Sequence, residues 1–343
     1  MSDQVNGAIV LIPQDDPSLE LHIKAIKKWY RLAQLAFSPN TLSAYRFDLR
    51  LWISWCRHAD RHPLPAKPED VCDYIEYLAA HYKPASIKRF IQSLSTLNQA
   101  ADAPAVLEDK FVQLAMRGVR RSKGVEQDQA EPIHYSDIEA LQQKLGWIDP
   151  ITRTRRYRLA DIRNITLMMV GYDTLLRGSE LTRLRAEDID YRLDGSAVIK
   201  VRRSKNDGEG EGAYKYLRPL TARLLKKWLE AIGVSQGYIF WSLSTKGEPI
   251  KAPITLQGLR NIYTAMMEHI RPAGDAPAAY SSHSTRIGAC QDLFLKNFSL
   301  GRIMYAGTWK DPRMPVHYNR KAEPATSAMA ELAKQQTPIG KKS

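Results

Sequence analysis

"SAVIKVRRSKNDGEGEGAYKYLRPL", residues 196–220, is the stretch whose period departs from everything around it. Its two ends are short β-branched or aromatic runs. Between them lies the glycine-rich "NDGEGEG", so the segment predicts two strands of a hairpin. On either side the apolar residues recur at three- and four-residue spacing, which is helical. A single hairpin in an otherwise helical chain predicts a mainly α fold with a small antiparallel sheet in its second half.

Upstream, "SPNTLSAYRFDLRLWISWC" (38–56) offers Ser38 as N-cap and Pro39 at the first helical position. Leu42, Tyr45, Leu49, Ile53 and Cys56 then make one apolar face. "KPEDVCDYIEYLAAHY" repeats the pattern from Pro68 with Val71, Tyr74, Ile75 and Leu78, and "PASIKRFIQSLSTLNQAA" adds Ile87, Phe90, Ile91, Leu94 and Leu97. A fourth helix is expected over about 105–121, ending in the basic "MRGVRRSKG" with Arg120 and Arg121. After it "SKGVEQDQAEP" is polar and aperiodic and holds Gly124 and Pro132, as an exposed linker would. The expected organisation is therefore a helical domain over 1–122, disordered before about residue 17, a linker at 123–132, and a second domain over 133–343. In the latter, Ser136 can cap "YSDIEALQQKL", and a basic "TRTRRYR" precedes the helical "RLADIRNITLMMVGYDTLLRGSELTRLR". Further helices are expected near 221–232, 255–269, 284–297 and 299–306, and "ATSAMAELAKQQ" predicts a short amphipathic tail helix over about 326–336.

The length of 343 residues suits about two domains, and 44% apolar with 25% charged residues is ordinary for a globular chain. Lys plus Arg exceed Asp plus Glu by 50 − 37 = 13, a field that favours a polyanion such as nucleic acid or an anionic membrane. No apolar run approaches membrane-spanning length, and "GAIVLI" is too short for a secretory signal, so a cytoplasmic protein with no membrane partner is expected. Cys56, Cys72 and Cys290 are far apart and odd in number, which fits reduced core residues rather than a disulfide framework. The eight histidines form no ligand spacing with them, and no glycine-rich phosphate loop is present, so neither a metal nor another cofactor is expected.

Three short motifs in the second half carry chemistry. In "YDTLLRGSELTRLR" Arg177 adjoins Gly178 at a bend between helical stretches, with Glu180 three residues on. In "SSHSTRIGA" His283 and Arg286 are three apart at a helix start, so both project from one face. "AGTWKDPRMPVHYNR" holds Trp309 and Tyr318, and the hairpin turn holds Lys205. Each alone has a plain structural explanation: a local Arg–Glu pair, a solvated helix end, a packed tyrosine, a solvated turn lysine. Together, in this order and context, Arg177, Glu180, Lys205, His283, Arg286, Trp309 and Tyr318 resemble the signature of the tyrosine site-specific recombinases, the integrase family. The similarity extends into the first half through "AFSPNT", "PEDVCDYIEYL" and "AMRGVRR".

The resemblance implies a two-domain, C-shaped clamp around double-stranded DNA, the first domain helical and DNA-binding, the second catalytic. It implies strand cleavage by Tyr318 through a 3′-phosphotyrosyl bond, then rejoining to a partner strand, without metal or ATP. Fixed cations suit a transition state that spreads negative charge over phosphate oxygens: Arg177 and Arg286 as clamp, His283 and Trp309 as hydrogen-bond donors, Glu180 as orienter. Lys205 is the candidate general acid for the leaving 5′-oxygen. The member it looks most like implies that Tyr318 acts in its own active site. Pro315 fits a helix around Tyr318 only in the first turn, so that helix should begin near Met314 or Pro315. Arg46, Lys88, Arg89, Arg120 and Arg121 in the first domain, and Gln257, Arg260 and Asn261 in the second, are candidate DNA contacts or equally solvated helix faces. The implied assembly is a homotetramer on inverted-repeat sites formed from monomers, in a bacterial, plasmid or phage setting. A type IB topoisomerase-like activity, or a catalytically inactive regulator of recombinase descent, are the alternatives.

Overall fold

The computed structural model describes residues 17–124, 129–149, 151–202, 212–271 and 279–320. The expected disorder before residue 17, the turn lysine Lys205 and the tail helix over 326–336 lie outside the described residues. The chain divides into two compact units, Met1–Asp128 and Gln129–Ser343.

In the first unit the helices are α1 (Pro17–Ala36), α2 (Pro39–His58), α3 (Pro68–His81), α4 (Pro84–Ala100) and α5 (Lys110–Lys123). The first four start on proline, whose missing N–H is harmless there and whose φ is already helical. Ser38 caps α2, its Oγ accepting from Thr41 N at 3.2 Å. Instead of one helix over 105–121 there is a 3₁₀ turn, Val106–Glu108, and then α5. Asp109 makes the break: its carboxylate accepts from Phe111 N at 2.8 Å and Val112 N at 3.1 Å, starting a new helix. The core joins Trp52, Ile53, Cys56, Val71, Ile75, Leu78, Ile87 and Ile91, and Trp52 Nε1 donates to Pro63 O at 2.8 Å. Helix α1 was not among the expected helices, although Ile23, Ile26, Tyr30 and Ala33 are buried along one face.

The second unit is built around α7 (Leu159–Thr174), which is buried on most sides and packs against α6 (Tyr135–Leu145), α9 (Pro219–Ile232), α10 (Leu256–Glu268) and α11 (Ser284–Leu295). The expected bend beside Gly178 is present, and it starts a little earlier: α7 stops at Thr174, Leu175 takes φ 51°, and α8 (Gly178–Leu181) is a single turn. The expected hairpin is present as β4 (Ala197–Val201) and β5 (Ala213–Leu217), with Val198 opposite Tyr216 and Lys200 opposite Tyr214. A third strand, β3 (Ile189–Tyr191), joins on the β4 side. Two further antiparallel pairs, β1–β2 (Trp147–Ile148, Arg155–Arg156) and β6–β7 (Trp241–Leu243, Pro249–Pro253), were not anticipated. Strands β1, β2 and β6, of two or three residues, carry no readable alternation, and β7 is bounded by proline and mostly exposed.

The latter part of the expected linker lies on this unit. Glu131 N donates to Ala279 O and Ile133 N to Ser284 O, both at 3.0 Å, and Ile133 is fully buried. Two short helices, α12 (Leu300–Gly307) and α13 (Arg313–Asn319), complete the described chain, with Pro315 in the first turn of α13. They and α11 enclose a second apolar cluster of Leu175, Ile287, Cys290, Ile303, Trp309 and Tyr318.

Candidate active site

The break after α7 positions Arg177. It is the N-cap residue of α8, and Glu180 holds it at two points, accepting from Arg177 N and from Arg177 Nη1, each at 2.9 Å. Glu180 is buried and the arginine mostly so, at 5% and 19% side-chain exposure. Gly178 lets this turn lie flat against the segment before α11, because a Cβ there would stand 2.4 Å from Ser282 Cβ. His283, the next residue, is the N-cap of α11 and is half-buried; Ser281 Oγ accepts from its main-chain N–H at 3.1 Å.

Arg286, one turn into α11, is 1% exposed. Its Nη1 donates to Leu175 O, the left-handed residue that ends α7, and its Nη2 to Gly307 O at 2.9 Å. The guanidinium carbon lies 4.2 Å from the centre of the Trp309 ring, and Trp309 meets Tyr318 edge-on at 6.0 Å. Gly307 makes room for that indole: a Cβ would be 2.0 Å from Trp309 Cζ3. The Tyr318 side chain is buried in the same apolar cluster. Burial pushes the Arg286 guanidinium down to about 10, and the nearby charge of Arg177 pushes the same way, while Tyr318 and Glu180 oppose it.

Helix α13 is fastened to α11 from below. Gln291 Nε2 donates to Tyr318 O at 2.8 Å, Gln129 Nε2 donates to the same carbonyl at 3.1 Å, and Cys290 Sγ lies 3.8 Å from Pro315 O. One more cation belongs to the site. Lys215 sits on the inward face of β5, 6% exposed, and its Nζ donates to Ala306 O. Burial lowers its pKa to about 8; Arg286 and Arg177 act in the same sense and Glu180 against it.

Of the seven expected catalytic residues, Arg177, Glu180, Arg286, Trp309 and Tyr318 thus form one connected group, with His283 one turn from Arg286 and Lys205 outside the described residues. Sequence reasoning missed Lys215, Gln129, Gln291 and Gly307. Lys215 had a visible signal, since in "AYKYL" it shares the strand phase of Leu217. Among the described residues no group of three or more His, Cys, Asp or Glu side chains could hold a metal ion. No described helix is long and apolar enough to cross a membrane.

The candidate DNA contacts are scattered more loosely. Gln257, Arg260 and Asn261 are exposed on one side of α10, where Gln257 Nε2 donates to Asn261 Oδ1 at 2.8 Å. Lys88, Arg120 and Arg121 are exposed, and Arg46 Nη2 donates to Ser43 Oγ at 3.1 Å. Arg89 is engaged within its own unit: its Nη1 grips both oxygens of the buried Asp48, at 2.7 and 2.6 Å.

A buried, inward-turned guanidinium with a second arginine and a lysine close by favours an anion such as phosphate at that point. Comparison with known proteins agrees with this chemistry. Residues 148–324 match the Phage integrase family, and residues 19–103 match the Phage integrase, N-terminal SAM-like domain. The chain is 29% identical to Recombinase cre of Escherichia phage P1 over 96% of its own length and 97% of that protein's. It is also 29% identical to the Integrase/recombinase xerD homolog of Selenomonas ruminantium, covering 82% of this chain and 81% of that one. Among solved structures, the post-cleavage complex of XerH site-specific recombinase with palindromic difH substrate matches with a TM-score of 0.60 at 14% identity, covering 85% of this chain and 79% of that one. A lambda integrase dimer bound to a COC′ core site matches with a TM-score of 0.57 at 16% identity, covering 88% and 78%. The chain belongs to the phage integrase family, the tyrosine recombinases, enzymes that cleave and rejoin DNA strands.

Proposed function

We propose that the chain recombines two double-stranded DNA sites, with Tyr318 as nucleophile and the group around Arg286 as the phosphate-binding site. The observation that carries this reading is that buried Arg286 and buried Tyr318 both pack on the Trp309 ring, with Lys215 holding the adjoining end of α12. In the reaction Tyr318 Oη bonds to the scissile phosphorus and the 5′-oxygen departs. Because one phosphate ester replaces another, rejoining needs no energy source. Arg177 and Arg286 neutralise the nonbridging oxygens; the five N–H donors of a guanidinium let Arg286 keep its carbonyl partners and still reach a phosphate. Glu180 fixes the direction of Arg177. His283 and Trp309 Nε1 supply further donors, and Lys205 on the hairpin turn protonates the leaving oxygen.

Both units contact the duplex, the basic surface giving affinity through phosphates and a few side chains on α2, α4, α5 and α10 reading base edges. The sites are inverted repeats, each holding two protomers, and synapsis of two sites makes a homotetramer. An apolar groove of about 490 Å³ on the catalytic unit, lined by Leu293, Phe298, Ile303, Tyr305 and Ala306, supports this assembly. Its lining suits the stripe Met329, Leu332 and Ala333 of a second copy's tail.

The test is to incubate the protein with supercoiled plasmid carrying two copies of DNA from its native locus and to sequence the products. Exchanged flanks joined at one position support the reading. Relaxed topoisomers without exchange would favour the topoisomerase alternative, and binding without cleavage the inactive regulator.

A further inference from the structure

The C-terminal end of α12 is gripped by two buried cations from different parts of the chain. Helix ends leave carbonyls without intrahelical partners and carry the negative end of the helix dipole, so cations are favoured there. Arg286 of α11 takes Gly307 O, and Lys215 of β5 takes Ala306 O. Immediately beyond, Thr308 turns left-handed at φ 52°, Trp309 N donates back to Met304 O at 2.9 Å, and the Trp309 ring lies on Arg286. The position of this helix end therefore sets where the indole, the guanidinium and the tyrosine meet.

A lysine is a costly way to hold one carbonyl. Its neighbours in the inward phase of the sheet are Ile199, directly opposite on β4, and Leu217, both fully buried, so an apolar side chain would fill the place without desolvating a charge. Burial already pushes its ammonium down to about 8. The strand has a second relevance: β5 begins eight residues after Lys205 in the sequence.

We propose that Lys215 is a positioning residue for strand cleavage, which ties β5 to the end of α12 and so holds Arg286, Trp309 and Tyr318 in register. It acts through the Ala306 carbonyl and not on the substrate. The proposal rests on the assignment of Tyr318 and Arg286 made above.

The experiment uses the full chain and Lys215→Met, which keeps length and removes donor and charge. Four quantities are read: the melting temperature, the Kd for the nicked duplex recovered by covalent capture from native-locus DNA, the single-turnover rate of adduct formation on it, and amide hydrogen exchange of residues 300–320 without DNA. The expected result is a melting temperature no lower than that of the parent, since a buried charge has been removed, and an unchanged Kd. Adduct formation should slow at least about tenfold and exchange through α12 and α13 should speed up. The same duplex with sulfur at the bridging 5′ position should show the same defect. Cleavage within twofold of the parent would overturn the proposal, and so would recovery on the sulfur substrate, which would make Lys215 itself the proton donor. Should the methionine variant fail to fold, Lys215→Arg, which keeps charge and donor, decides: cleavage above a tenth of the parent rate upholds the role and a complete loss overturns it. Tyr318→Phe in parallel separates the two readings, because an adduct formed by that variant would refute the site assignment whatever Lys215 does.

Discussion

Replacing Gly307 by alanine should damage the site more than its size suggests. The added Cβ would stand 2.0 Å from Trp309 Cζ3, 2.2 Å from Cε3 and 2.5 Å from Cη2, against a rigid ring rather than the end of a flexible chain. Ordinary carbon contact is about 3.5–4.0 Å, so the indole must shift by about 1.5 Å. Overpacking of this kind costs about 1–3 kcal/mol. The ring would also leave the Arg286 guanidinium, now 4.2 Å below it, losing a desolvated cation–π contact of about 2 kcal/mol. A total of about 3–5 kcal/mol, at about 2–4 °C per kcal/mol for a unit of this size, lowers the melting temperature of the catalytic unit by on the order of 10 °C. A misplacement near 1 Å costs about 100-fold in a reaction that depends on alignment, so adduct formation should fall by about that factor. Differential scanning calorimetry and single-turnover cleavage measure the two effects. Gly301→Ala is the control in the same helix: nothing lies within 4 Å of its Cβ, and alanine should be neutral or stabilise by up to about 1 kcal/mol. If Gly307→Ala melts within 2 °C of the parent, about the smallest shift that 1 kcal/mol gives, and cleaves at its rate, Trp309 does not lie on Gly307 and Arg286 as described.

Lys205→Ala should lose cleavage on ordinary DNA and recover it with sulfur at the bridging 5′ position, whereas Arg177→Ala should not recover; equal defects of Lys205→Ala on both substrates would remove the general-acid role. Hydrogen bonding to Asp292, 2.7 Å away, raises the pKa of His134, so the stability it contributes is complete below about pH 6.5 and is lost as pH rises through the folded value. Burial would raise Asp292, but His134 and Tyr172 bring it below the usual carboxylate value, so its contribution is lost as the solution turns acid. The melting temperature of the catalytic unit should therefore fall between pH 6 and 8, and His134→Gln should flatten that slope; an unchanged slope contradicts the pairing. Truncation after Pro324 should leave binding to one half-site nearly intact while sharply reducing cooperative filling of the second in gel-shift titrations, and unchanged cooperativity would sink tail docking in the Leu293–Tyr305 groove. Cleavage should survive excess chelator at matched ionic strength, and loss restored by one divalent ion would refute a site built on arginines alone.

Much of the fold was legible because helix signals here are local. Proline at the first turn, an N-cap serine at residue 38 and apolar spacing along one face place α2, α3 and α4 without reference to the rest of the chain. The breaks were harder. Whether a helix crosses residue 109 depends on one carboxylate turning back to two amides, and whether α7 stops at Thr174 depends on Leu175 accepting a left-handed conformation that its sequence does not favour. Arg286 explains the second, since its guanidinium holds the Leu175 carbonyl from another helix. The candidate site was legible as a set of residue types in order, and not as a geometry. Nothing in "AYKYL" or "CQDLF" says that Lys215 reaches α12 or that Gln291 caps α13, because both contacts join segments far apart in sequence.

The central claim is that Tyr318 becomes joined to DNA within the pocket of Arg286 and Trp309. The most direct measurement is to trap the reaction on a nicked duplex from the native locus with denaturant, digest the protein and identify by mass spectrometry the peptide that carries the nucleotide. The expected result is one modified peptide spanning Tyr318, with the DNA attached by its 3′-phosphate, and none from Tyr318→Phe. A modified peptide that lacks Tyr318, or an adduct that persists in Tyr318→Phe, would contradict it.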